Sequence, residues 1–109
     1  MSITSKDNAQ SQFLTGTFTS AGSAADVTET LPWAPSLVIA FIDIEGTNPN
    51  MLVQSAYSTT DTMLTTGSTG VITTPAVASG ITISTTNYTV TFESGAQVNS
   101  GKNAWIAFK

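Results

Sequence analysis

Chemistry needs side chains that titrate or coordinate, and this sequence supplies few of them in any pattern. Asp43 and Glu45 stand two apart, the spacing that puts two side chains on one side of an extended strand. Asn48 and Asn50 follow closely. Together the four offer oxygen donors of the kind calcium takes, but calcium needs six to eight and the spacing is not that of an EF-hand. The plain alternative is an acidic loop rim in water. As a carboxylate pair for glycoside hydrolysis, Asp43 and Glu45 would lie about 7 Å apart with no pocket evident around them. Ser100 and Lys102 could act as nucleophile and base only if the lysine were buried, and a loop with a solvated lysine is the simpler expectation. The chain has no histidine and no cysteine, which removes the Ser-His-Asp triad, the Cys-His pair and the common zinc sites. The expectation is a protein that is not an enzyme and holds no cofactor.

Composition narrows the partners. Charged residues make up 9% of the 109 residues, against roughly 25% in an average soluble protein, and serine and threonine fill much of the gap. The net charge is -4 and the only cations are Lys6, Lys102 and Lys109, with no arginine. Nucleic acid is disfavoured, since phosphate binding needs clustered Lys or Arg, and anionic membranes are disfavoured for the same reason. No run approaches the 18 or so apolar residues of a membrane helix. The first residues, MSITSKDNAQSQ, lack the apolar core of a signal peptide, so synthesis in a cytoplasm is expected and the sequon Asn87-Tyr88-Thr89 is expected to be idle.

The elements that must position these residues read as strands. Residues 1–12 form a polar N-terminal arm, either frayed or ordered by a partner, and residues 13–109 form one domain. Residues 13–19 alternate, with Gly16 midway. Residues 25–30 form a half-exposed strand. Pro32 and Pro35 bracket Trp33 in an extended connector that is expected to cross between sheets, with Trp33 packed beneath it. Residues 37–42, LVIAFI, are continuously apolar and predict a central strand buried on both faces. Residues 51–58 alternate with the apolar side chains at odd positions, and Met63 and Leu64 mark a short helical turn or tucked loop. Short strands follow at 71–74 and 81–84. Residues 87–109 read as a closing hairpin, with Tyr88, Val90 and Phe92 on one face of its first strand. Its last strand is apolar on both faces, Trp105 and Ala107 on one, Ala104, Ile106 and Phe108 on the other. Strands at 8–12-residue spacing with turn signals between them predict an all-β, single-domain antiparallel β-sandwich, jelly-roll-like.

Two features bear on assembly. Edge strands of monomeric β-proteins are usually guarded by lysine, proline or inward charge, and three lysines give little protection. The outer face of the last strand, Ala104, Ile106 and Phe108, is therefore expected at a subunit or cross-sheet contact; Trp33 is the aromatic nearest a surface and a further interface candidate, although plugging one end of the sandwich is the simpler expectation for it.

The run LPWAPSLVIAF and the closing pieces GITI, YTV, VNSG and AWIAF, in that order, resemble small β-sandwich virion proteins of tailed bacteriophages. The resemblance spans roughly the C-terminal three quarters of the chain. It implies a structural protein of the virion, made in the host cytoplasm: a capsid decoration (cement) protein, commonly a homotrimer bound to the major capsid protein. The start at Met1 and the lack of a shaft or repeat favour such a freestanding module over a fibre. The alternative is a receptor- or glycan-binding module of a tail appendage, with Trp33 as its stacking platform.

Overall fold

The structure is a computed structural model that describes residues 11–19, 26–45, 50–58, 63–66, 72–73, 80–93 and 102–109. Nine strands are formed among these: β1 (Phe13–Thr19), β2 (Val27–Thr30), β3 (Leu37–Ile42), β4 (Asn50–Ser55), β5 (Met63–Thr66), β6 (Ile72–Thr73), β7 (Ile81–Ser84), β8 (Thr89–Phe92) and β9 (Lys102–Phe108). They build two antiparallel sheets. The larger runs β1-β9-β3-β4-β5-β6 and the smaller β2-β8-β7. With a Cα radius of gyration of 13.4 Å, the size of a single domain of about 100 residues, the two sheets form one β-sandwich.

The nesting is that of a jelly roll for its first two rungs and then departs from it. β1 pairs with β9, and β2 with β8, so the two chain ends run together in both sheets. From β3 onward the chain instead meanders through β4, β5 and β6 in the larger sheet before crossing to the β7-β8 hairpin. The closing pair of strands is accordingly no hairpin. β8 and β9 lie in different sheets and never pair, and β9 inserts between β1 and β3.

Between the sheets lies a core of Phe18, Leu31, Trp33, Val38, Ala40, Ile42, Leu52, Ile81, Val90, Phe92, Trp105 and Ala107. Aromatic rings run through it: Phe18 stacks on Phe92 at 4.5 Å, and Phe92 meets Trp105 at 6.4 Å. The proline-bracketed connector does cross from the small sheet to the large one, with Trp33 only 5% exposed beneath it. Ser36 then fastens the start of β3. Its N–H and hydroxyl donate to the Phe108 carbonyl at 2.7 and 3.3 Å, and its own carbonyl accepts from the Ala56 N–H at 2.9 Å.

Four local expectations are corrected. Met63 and Leu64 open strand β5, paired with β4, rather than a helical turn. β3 is fully buried on one face only, with Phe41 40% exposed on the other. In β4 the odd, apolar positions face outward, and the core receives Leu52 together with Gln54. A buried amide is tolerated because its NH₂ donates to the carbonyls of Ser55 and Ser58 at 3.0 and 2.6 Å, which spares it the cost of an unpaired polar group. Tyr88 leaves the face of Val90 and Phe92, because it sits at φ 59° in the turn before β8, 44% exposed. The polar arm, residues 1–12, falls outside the described residues except for Ser11 and Gln12; the Gln12 carbonyl accepts from the Lys109 N–H at 2.9 Å.

Candidate functional site

The acidic cluster is taken apart by backbone geometry. β3 ends at Ile42, and Asp43 adopts φ 57°, a left-handed conformation that breaks the extended strand on which Asp43 and Glu45 would have shared a side. Asp43 donates its N–H to Oδ1 of the fully buried Asn103 at 2.8 Å, and Ile44 donates its own to the Lys102 carbonyl at 2.9 Å. Glu45 turns to Lys102, whose Nζ lies 3.3 Å from its carboxylate. The turn is thus a clasp joining the end of β3 to the start of β9. Among the described residues no three acidic, histidine or cysteine side chains gather as metal ligands. Asn48 and Ser100 lie outside the described residues; Asn50 opens β4.

What the fold does assemble is a surface. The register of the large sheet aligns its outward side chains in three rows. The first is Phe13, Phe108, Leu37 and Ser55; the second Thr15, Ile106, Ile39 and Val53; the third Thr17, Ala104, Phe41 and Met51. No charged residue occurs in these rows. Lys102 lies one row further on, opposite Thr19, and is paired with Glu45. Phe13 is 54% exposed and Phe41 40%, while Ile106, Ile39, Leu37, Val53, Met51 and Phe108 are half-buried against their neighbours.

The opposite outer face has different chemistry. On the small sheet the outward rows are Thr28, Thr91 and Thr82, then Thr30, Thr89 and Ser84. Every side chain there is a hydroxyl. Thr28 and Thr91 bond each other at 3.0 Å and Thr82 donates to Glu93 at 2.7 Å. One sandwich therefore turns an all-hydroxyl face one way and a largely apolar, uncharged face the other. Monomeric proteins rarely expose contiguous apolar patches of more than a few hundred Å², and larger ones mark contact sites.

Relief is present on the apolar face as well. A depression of about 470 Å³ opens on it, lined by Thr15, Thr17, Phe41, Ala104 and Ile106, with Gly16 and Trp105 at its base. Its floor is low because Ala104, the smallest side chain of the three rows, lies between Thr17 and Phe41. Two rows away the same two strands carry the bulkiest pair, Phe13 and Phe108, with ring centroids 6.4 Å apart.

Ala104, Ile106 and Phe108 thus share an outward face. Trp33, the further interface candidate, belongs to the core, as its place beneath the proline-bracketed connector leads one to expect. Sequence reasoning missed Phe13, Ile39, Phe41, Met51 and Val53 as their companions. The signal was present in β1, β3 and β4, but the apolar positions were assigned to the core. Comparison with protein-family models, curated proteins and solved structures finds no match to this chain.

Proposed function

We propose that this chain is a non-enzymatic structural protein of a virion, a decoration subunit of a tailed-bacteriophage head, whose working assembly on the shell buries the outer face of its larger sheet. The observation that carries the structural part is the contrast between the two outer faces, all hydroxyl on one side and largely apolar and uncharged on the other. An apolar face of this breadth gains by being covered. The virion part rests on the resemblance of the LPWAPSLVIAF run and the closing strands to such proteins. Stabilisation would follow from mass action: a subunit that binds only the assembled shell favours the shell over its dissociated parts. The partners are the major capsid protein and further copies of the chain.

The glycan-binding alternative relied on Trp33, whose ring is buried, so no observation favours it. The test is to add purified chain to shells that lack it and follow co-sedimentation and the temperature of shell disruption. Binding with a raised disruption temperature, both lost in Ile106→Asp, is the expected result. Shells that neither retain the chain nor gain stability would overturn the proposal.

A further inference from the structure

We infer that the apolar face of the large sheet pairs with the same face of a second copy of this chain, about a twofold axis that runs across the strands through Ile106. The inference rests on the reading that this face is covered in the working assembly, and adds what covers it. A twofold contact must be self-complementary: if residue i of one copy meets residue j of the other, j must also meet i. This surface has that property along two strands. β1 and β9 carry the protruding pair, Phe13 and Phe108, in the first row and the depression at Thr17 and Ala104 in the third. An axis through the middle row exchanges first and third rows while keeping each strand opposite itself. Phe108 of each copy then enters the depression above Ala104 of the other, Phe13 covers Thr17, and Ile106 meets Ile106. The other in-plane axis, along the strands, would set Phe108 against Leu37 in the same row and leave Phe13 and Phe108 facing no depression.

Charge agrees with a partner of this kind. Neither face brings a charge that would be stripped of water or opposed by its own copy, since Lys102 lies beyond the third row and is neutralised by Glu45. Four strands about 4.8 Å apart and three rows about 6.7 Å apart make a projected patch of about 400 Å² per partner. Over both partners that is about 800 Å² of projected surface, below the roughly 1,200 Å² at which stable specific interfaces begin and in the range of weak, transient contacts. The product is a reversible dimer that meets face to face as two sheets of a sandwich do. Being twofold, it predicts even-numbered species, whereas the trimer implied by the resemblance needs a contact elsewhere.

The chain contains no cysteine, so single-cysteine variants of the full chain report the geometry cleanly. Ile106→Cys, on the axis, is expected to form a disulfide-linked dimer under mild oxidation, and Thr28→Cys on the hydroxyl face is not. Mixed in equal amounts, Ala104→Cys and Phe108→Cys are expected to yield the mixed dimer over either self-linked species. Ala104→Leu, which fills the depression, should weaken dimerisation at least about tenfold without altering the circular dichroism. Ile106→Cys failing to cross-link while sedimentation shows only monomer overturns the inference, as does a dimer in which Ala104→Cys and Phe108→Cys link only to themselves. If the chain is monomeric yet Ile106→Asp still abolishes shell binding, self-pairing is wrong and the proposed function survives.

Discussion

The indole of Trp105 lies over the backbone of Gly16, its register partner in β1, so closely that a Cβ on that glycine would sit 2.5 Å from the ring. The glycine is needed for space. It lets a large ring lie flat against the sheet that carries it, beneath the floor of the outer depression and beside Phe92.

Gly16→Ala should therefore destabilise the fold by about 1–3 kcal/mol, the usual cost of overpacking, and lower the melting temperature by several degrees. Trp105 Nε1 is buried and has no hydrogen-bond partner among the described residues, so Trp105→Phe forfeits packing but no hydrogen bond. The double variant Gly16→Ala/Trp105→Phe should recover part of the Gly16→Ala loss. Urea titration of the four proteins as a double-mutant cycle measures this coupling, and additive losses would refute the close approach.

Gln54 presents the converse case, a polar side chain whose worth lies in its hydrogen bonds. Gln54→Leu keeps the volume but removes the amide that donates to the carbonyls of Ser55 and Ser58, of which the Ser55 carbonyl keeps the Ser58 N–H at 3.2 Å. The expected loss is about 1–3 kcal/mol, the net worth of two hydrogen bonds. Thermal denaturation checks it, and a stability gain in Gln54→Leu would show that the amide was merely tolerated.

These residues also show where sequence pattern stopped being informative. Alternation located β1, β7 and β8, unbroken apolar runs located β3 and the two-sided last strand, and the prolines correctly marked a crossing between sheets. The same pattern inverted β4, because an apolar count prefers Met51 and Val53 to Leu52 and Gln54, and does not register that the turn after β4 folds the Ser55 and Ser58 carbonyls back onto the Gln54 amide. β5 was hidden because Thr65 and Thr66 carry no apolar period; its pairing with β4 is a matter of backbone hydrogen bonds. β8 and β9 looked like a hairpin because they are neighbours in sequence, whereas their separation into two sheets follows from the nesting of the whole chain. The outward orientation of Ala104, Ile106 and Phe108 was legible, whereas the backbone course at the acidic loop was not, since nothing local announces that Asp43 takes a positive φ.

At Asp43 the backbone sits where glycine is at ease and the side chain holds none of the clasp, which is made by the amide and Asn103. Asp43→Gly should stay within about 1 kcal/mol of the parent. Asn103→Ala, which leaves the Asp43 N–H unpaired beside a new cavity, should lose about 2–4 kcal/mol. Chemical denaturation ranks the pair, and the reverse order would contradict this assignment.

The Lys102–Glu45 pair is largely solvated, with side-chain exposures of 56% and 71%. Glu45→Gln should shift stability by no more than about 0.5 kcal/mol at physiological salt. With Asp43 turned away from the strand, millimolar calcium is expected to leave the melting temperature of parent and variant alike unchanged. A calcium-dependent rise in the parent that disappears in Glu45→Gln would restore the acidic cluster as a binding site.

The central claim is that the apolar outer face of the large sheet is buried in the working assembly while the hydroxyl face is not. Its most direct test compares alkylation rates of single cysteines at Ile106 and at Thr28, first in the dilute chain and then in the assembly it enters, alone or on a shell. Ile106→Cys is expected to become protected at least about tenfold on assembly, with Thr28→Cys reacting at its free rate in both states. Equal reactivity at the two positions in the assembled state, or protection of Thr28→Cys alone, would contradict it.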